Sequence, residues 1–482
     1  MRYVIILSCF LSLFNTQASA QGEIISMEKL ATFTKAQQDS LQATVTSFVI
    51  PALYDVDYYK VLYLTPYLHP DSLVQASMGL AIPVNTECEV PIAVYGHGTQ
   101  MDTHVSASRM NSGQWEVGLI FAGSGYSVAL PDYLGIGFFD TARIPIHPYT
   151  HTFSQGNDMI NAARATRNVL DSLGTTDNDQ LFLFGYSQGG HATAAAVKIL
   201  EAEFPGEFNI AGSAPMSGAY DTKNAQVDLM ASFDPYPTPG YLPFILIAYQ
   251  SIYGNIYTDI RDVMKSPYDT VVPALFANRV TGNGTISNAC NPVPRLMIED
   301  IYIDSFFNDP NFSLRVALAD NDLVDGWAPQ SPMRMFFCTG DDQVSYMNSV
   351  NAYTAWSAAG APALDTVNFG NYDHNGCAPF AFLSAKGFFD GIKTSCPNSI
   401  RNTKSALTTN VYPNPTAGLL MIDGLQATAL VQVYNIQGQL VKTVNTAGKS
   451  FEQIDLSEVA KGTYLVKVIT EMGLSNHKVI VN

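Results

Sequence analysis

The stretch Leu181-Phe182-Leu183-Phe184-Gly185-Tyr186-Ser187-Gln188-Gly189-Gly190-His191 decides how the rest of the chain is read. Four apolar residues run into the hexapeptide G-Y-S-Q-G-G, and an alanine-rich run from His191 to Leu200 follows. A strand, a sharp turn and a helix in that order form a nucleophile elbow, in which G-x-S-x-G holds a serine hydroxyl above a parallel sheet. Glycines flank the serine because the turn brings backbone segments so close that a Cβ would clash. Ser187 is therefore the candidate nucleophile; an ordinary tight turn is the other reading of the same letters.

Outward from the elbow, short apolar runs alternate with amphipathic stretches. Pro91 to Tyr95, Tyr126 to Leu130, Ile210 to Met216, Met333 to Phe337 and Thr366 to Phe369 read as strands, most of them buried on both faces. Thr152 to Leu173 repeats apolar residues at three and four and stops at Gly174, as a helix packed on a sheet would. Pro379 to Ile392 reads as a closing helix. Asp55 to Thr65 and Leu73 to Val84 alternate in strand fashion and predict an antiparallel pair at the sheet edge, after a short helical segment within residues 26–50. The pattern predicts an α/β fold, a doubly wound and mostly parallel sheet. It lapses between Tyr220 and Pro332, a stretch rich in Pro, Tyr and Phe, which is expected to be a helical cap over the strand ends; a second scaffold domain is the alternative.

Composition and charge narrow the class. The chain has 482 residues, 47% hydrophobic and only 14% charged, which excludes a disordered polymer and fits two or three compact units. A net charge of −17 argues against a nucleic-acid partner. Residues 1–20 have the form of a signal peptide: Arg2, an apolar run from Val4 to Phe14, and Ala18-Ser19-Ala20 before Gln21. A lipoprotein reading through Cys9 leaves almost no apolar run before the cysteine. No later segment is apolar for the length a membrane crossing needs. With Cys9 removed, five cysteines remain, and an odd number leaves one unpaired.

A serine becomes a nucleophile only when a base takes its proton and a third group orients that base. In the elbow fold the order is Ser, acid, His. His191 lies within the elbow helix and His477 far beyond the sheet, which leaves His374, in Asn371-Tyr372-Asp373-His374, placed on a loop after a predicted strand. The acid should follow the strand before it, where Asp341 and Asp342 stand. Asp341 sits three residues before Val344 and is preferred; Asp342 is its rival, and Asp320, Asp322 and Asp325 precede the strand. Oxyanion donors are expected from the Gln188 amide and, in the loop His97-Gly98-Thr99, from the Thr99 amide, with His97 shaping the loop. His147 and His151 have an i, i+4 metal spacing, but Pro148 lies between them and no third ligand is evident. No metal and no cofactor are expected.

With these residues assembled, the region of about 55–396 resembles the α/β-hydrolase superfamily, in particular the secretory lipases and esterases. The resemblance rests on Y-G-H-G-T at 95–99, P-D-Y-L-G at 131–135, H-P-Y-T-H at 147–151, G-Y-S-Q-G-G-H at 185–191, C-T-G-D-D-Q-V at 338–344 and D-H-N-G-C at 373–377. It implies Ser187 as nucleophile, Asp341 as acid and His374 as base, a small-molecule or lipid ester substrate, and a disulfide between Cys338 and Cys377. A serine peptidase of the prolyl-oligopeptidase type shares the triad but brings a propeller, and no blade repeat is visible; a non-catalytic surface binding protein on the same scaffold is the reading from another class.

After Pro397 the composition changes. Residues 398–410 are polar and predict a linker, and 411–482 carry short alternating strands that predict a small β-sandwich: Leu419 to Ile422, Leu430 to Tyr434, Leu440 to Val444, Tyr464 to Ile469 and Lys478 to Val481. V-Y-P-N-P-T-A-G at 411–418, V-Y-N-I-Q-G-Q-L-V at 433–441 and G-T-Y-L-V-K-V at 462–468 resemble the C-terminal sorting domain of type IX (Por) secretion in Bacteroidetes. That implies the secretion machinery as partner, a secreted or cell-surface location after export through the periplasm, and removal of the domain after export. A carbohydrate-binding module is the alternative for this sandwich. The expected organisation is a signal peptide at 1–20, a hydrolase domain at 21–397 with its cap at about 220–332, a linker at 398–410 and the sorting domain at 411–482.

Overall fold

The computed structural model describes residues 20–45, 49–86, 88–394, 409–425, 429–446, 449–470 and 473–482. The signal peptide and most of the linker expected from the sequence lie outside them, except Ala20 and residues 409–410. Two compact units divide the chain, Met1–Thr394 and Ser395–Asn482.

In the first unit a nine-stranded sheet is built from β1 (Ile24–Phe33), β2 (Val56–Tyr67), β3 (His69–Pro83), β4 (Val90–Gly96), β5 (Ser127–Pro131), β6 (Asp177–Tyr186), β7 (Asn209–Met216), β8 (Met333–Phe337) and β9 (Leu364–Asn368). Their order is β1-β2-β3-β5-β4-β6-β7-β8-β9. The first pairs, up to β3 with β5, are antiparallel; from β5 onward every pairing is parallel. The strand alternation explains why both faces are dry. In β6, Leu181 and Leu183 pack into one core while Phe182 and Phe184 pack into the other, and in β4 Ile92 and Val94 divide from Ala93 and Tyr95 in the same way. Helices Thr152–Ser172 and Gln188–Glu203 cover the first face, and Trp115–Ala122 and His374–Ile392 the second. Each fully buried Leu, Ile, Val or Phe among them contributes about 1.5–3 kcal/mol.

The short helix expected within residues 26–50 is Lys35–Val45, but a strand that the sequence did not suggest, β1, precedes it and pairs with β2. The β2–β3 pair is consequently not the sheet edge. The cause is that β1 is an edge strand whose residues are mostly exposed or half-buried, so it carries no apolar alternation to read.

Between β7 and β8 a run of short helices, from Ala225–Met230 to Ser313–Asp320, packs around a core of its own that includes Tyr236, Phe244, Leu246, Tyr249 and Met297. Met101 and Tyr149, from loops of the sheet body, belong to that same core.

The second unit has a three-stranded sheet, β10 (Asn410–Tyr412), β11 (Leu419–Asp423) and β14 (Phe451–Asp455), and a four-stranded one, β12 (Ala429–Asn435), β13 (Leu440–Asn445), β15 (Gly462–Thr470) and β16 (Gly473–Val481). Both are antiparallel and share a core of residues such as Leu420, Ile422, Val431, Val466 and Val479. The strands β10 and β14 are absent from the sequence expectation. The first is three residues long, and the second alternates in burial but places Glu452 beside Ile454 on its inner face and Phe451 on its exposed one, so its letters show no apolar alternation.

Candidate active site

The parallel strands β4 and β6 lie side by side, with Gly96 opposite Gly185. Here the strand order reverses, which in open α/β sheets is where a crevice opens at the carboxyl ends. The loop after β4 carries His97, Gly98 and Thr99; the turn after β6 carries Ser187.

Ser187 has φ 62° and ψ −121°, a conformation costing a non-glycine residue about 1–3 kcal/mol. Neighbours hold it there: its N–H donates to Met216 O at 2.9 Å, and its carbonyl accepts from Gly190 N at 2.9 Å. The glycine requirement is steric. A Cβ on Gly189 would stand 1.8 Å from Gly96 O, and one on Gly185 2.4 Å from Gly189 O. The helix Gln188–Glu203 begins at the next residue, as the sequence implied.

Asp341 follows β8 and is buried. Its Oδ1 accepts from Gln343 N at 3.1 Å and Val344 N at 2.8 Å, and both its carboxylate oxygens face His374 Nδ1, at 2.9 and 2.8 Å. With Nδ1–H donated to the carboxylate, Nε2 is left unprotonated. The rival, Asp342, serves the main chain, its Oδ1 accepting the backbone N–H of His374 at 3.2 Å. His374 is not on a loop, as the sequence suggested, but is the first residue of the helix His374–Ile392, capped by Asp373, whose side chain accepts from Gly376 N. A disulfide joins Cys338 to Cys377, tying the segment that bears Asp341 to the helix that bears His374. Cys290 is free.

Sequence reading missed Tyr186, although it stands inside the hexapeptide. Its hydroxyl donates to His374 O at 2.6 Å and its ring lies 4.9 Å from the imidazole, so the residue before Ser187 is in direct contact with His374.

On the β4 side, His97 Nδ1 lies 2.7 Å from Gly98 O, and its Nε2 3.0 Å from Asp132 O. Burial lowers its pKa. The neutral ring carries one N–H and can donate to only one of these two carbonyls; in the planar trans peptide the Thr99 N–H points away from the Gly98 carbonyl. A Cβ on Gly98 would lie 3.8 Å from Ser187 Cβ, so the loop passes directly over the serine. Among the described residues, neither the Gln188 nor the Thr99 backbone N–H donates to a protein acceptor.

The two metal-spaced histidines are used otherwise. His147 Nδ1 is 2.7 Å from Leu134 O, and its Nε2 2.6 Å from Gln188 Nε2, so the ring donates to the carbonyl and accepts from the amide. Burial takes its pKa down to about 3, which keeps Nε2 an acceptor. His151 caps the helix Thr152–Ser172 by accepting from Ser154 N. Among the described residues no group of three His, Cys, Asp or Glu side chains could hold an ion. Of the other histidines, His191 is buried with Nε2 3.2 Å from Asn321 O, and His477 bonds Thr409 in the second unit.

Beside Ser187 and Gln188 opens a cleft enclosing about 1050 Å³ of space, part of it open to solvent, that reaches in among the helices between β7 and β8, with walls that include Tyr241, Leu242, Ile245, Ile303, Phe306 and Leu314. Among the described residues, Arg295 is the one charged side chain on its wall.

Residues 112–381, more than half of the chain, match the secretory lipase family. The chain belongs to that family. Residues 410–482 match the secretion system C-terminal sorting domain, the mark of a secreted or cell-surface protein. Among solved structures, the rice cell wall degrading esterase LipA from Xanthomonas oryzae superposes with a TM-score of 0.67 at 25% identity, over 77% of this chain and 98% of that one. Candida antarctica lipase A in its closed state gives 0.58 at 15% identity, over 78% and 84%, a likeness of fold alone. A search of curated protein sequences found no match. This member of the secretory lipase family thus joins an α/β-hydrolase unit to a sorting domain, and no helix among its described residues is long and apolar enough to cross a membrane.

Proposed function

We propose that this secretory lipase hydrolyses carboxylic esters with an apolar acyl group, through an acyl-enzyme on Ser187. The observation that carries the reading is the His374–Asp341 pair, linked through Tyr186 to a strained serine that opens on an apolar cavity. Ser187 Oγ attacks the ester carbonyl carbon while His374 Nε2 takes its proton. Asp341 holds the ring and stabilises the imidazolium. The Gln188 and Thr99 N–H groups receive the charge that develops on the carbonyl oxygen. As the tetrahedral intermediate collapses, His374 returns the proton to the leaving alkoxide, which departs as the alcohol. Water then repeats the sequence on the acyl-enzyme and releases the carboxylic acid.

The cavity supports the choice of acyl group, since it removes a hydrocarbon chain from water against Leu242, Ile245 and Leu314 at about 25 cal/mol per Å². Residues 21–397 act as the hydrolase, with 220–332 as its cap. Residues 1–20 direct the chain to the periplasm, and 411–482 deliver it to the type IX machinery and are removed afterwards. A panel of p-nitrophenyl esters from acetate to palmitate, run beside a peptide p-nitroanilide, tests the substrate class. Turnover rising beyond acetate with the anilide inert is expected; an anilide cleaved faster than every ester would contradict it.

A further inference from the structure

We infer that the cap takes part in stabilising the transition state as well as in enclosing substrate: Asn283, a residue of the insertion, positions the Thr99 segment of the oxyanion hole. The inference rests on the reading of Ser187 and Thr99 just given.

The loop from His97 to Asp102 has no regular structure and no strand beside it to fix its peptides. The cap supplies that support. Asn283 Nδ2 donates to Thr99 O at 2.8 Å, and its Oδ1 accepts from Met101 N at 2.9 Å. One side-chain amide thereby satisfies a carbonyl and an N–H two residues apart, as a neighbouring strand would. A third bond lies just beyond, Thr103 N donating to Arg279 O of the cap at 2.8 Å. Met101 between them is buried in the cap core. Thr99 is held a second time by its side chain: Oγ1 lies 3.0 Å from Tyr149 OH, and the Tyr149 ring stacks on Phe244 of the cap, centroids 4.4 Å apart.

Together these contacts hold Thr99 through its side chain and through the peptide that follows it. Asn283 sets the plane after the Thr99 N–H, and Tyr149 holds the Thr99 hydroxyl. An oxyanion donor works only when its direction is set before charge develops, and a displacement near 1 Å costs about 100-fold in rate. The cap must therefore be seated for the donor to be aimed. Asn283 is a positioning residue: it acts on the oxyanion through Thr99.

The test compares Asn283→Ala and the isosteric Asn283→Asp, which keeps an acceptor for Met101 N and loses the donor to Thr99 O, with Asn288→Ala at the exposed end of the same short helix. Thermal melts confirm that each full-length variant is folded. Both Asn283 variants should lower kcat by about 10- to 100-fold with KM within about twofold. Affinity for a trifluoromethyl ketone, which adds to Ser187 and places an oxyanion, should fall by the same factor, and affinity for the matching carboxylic acid should stay. Asn288→Ala should leave every value unchanged. A kcat within twofold of wild type in Asn283→Asp, or equal losses of ketone and acid affinity, would overturn the inference. Such a result with Ser187→Ala inactive would remove only the role of Asn283; an active Ser187→Ala would remove the reading beneath it.

Discussion

His374 turns Nδ1 to both carboxylate oxygens of Asp341, while its backbone N–H goes to the neighbouring Asp342. Adjacent carboxylates thus serve one histidine in two ways, one through the ring and one through the main chain. Asp341→Asn should lower kcat by about 10⁴-fold, because an amide no longer enforces the tautomer the base needs. Asp342→Asn retains an oxygen for the backbone N–H and should stay within about threefold of wild type. Steady-state kinetics on one p-nitrophenyl ester separates the two, and the reverse ranking would exchange their roles.

Gly189 and Gly96 cross so closely that the elbow admits no side chain. Gly189→Ala should cost more than about 4 kcal/mol or prevent folding, since the new Cβ would meet Gly96 O at 1.8 Å and backbone on both sides would have to move. Gly387→Ala, in the helix His374–Ile392 with nothing near its Cβ, should instead stabilise by about 0.5–1 kcal/mol. Denaturant midpoints of the two variants check both signs.

Asp158 is buried under the sheet, its Oδ1 accepting from Tyr63 OH at 2.7 Å and its Oδ2 without a partner. Burial first, with Asp132 adding and the Tyr63 bond opposing, raises its pKa to about 7. A carboxyl raised in the folded state contributes stability that is complete below its unfolded value near 3.8 and is lost as pH rises through about 7. Asp158→Asn keeps an acceptor for Tyr63 and cannot ionise. Relative to wild type it should gain on the order of a few kcal/mol between pH 5 and pH 9. Urea midpoints at the two pH values measure that difference, and an unchanged gap would show that Asp158 does not titrate in this range.

Much of the sheet was legible because its strands are buried on both faces and so read as short apolar runs, as in Val90–Gly96 and Met333–Phe337. The strand Ile24–Phe33 was not, because an exposed edge leaves no apolar record. Ser187, Asp341 and His374 could be singled out because each lies in a local motif and their order along the chain is constrained. Tyr186 lay in plain sight, but nothing in the letters says that its hydroxyl reaches His374. Asn283 stands 184 residues from Thr99 and carries no motif; only the folding of the helices between β7 and β8 brings them together. The H-P-Y-T-H stretch shows the converse, a metal-like spacing whose histidines are spent on a carbonyl, a glutamine and a helix cap.

Every step of the proposed chemistry depends on Ser187 forming the acyl-enzyme. A fluorophosphonate probe titrated against the purified enzyme, with the labelled peptide located by mass, tests it most directly. One label per chain on Ser187, activity lost in proportion, and turnover lowered about 10⁶-fold in a folded Ser187→Ala variant that no longer labels are the expected results. Full labelling at another residue, or turnover near wild type in Ser187→Ala, would contradict it.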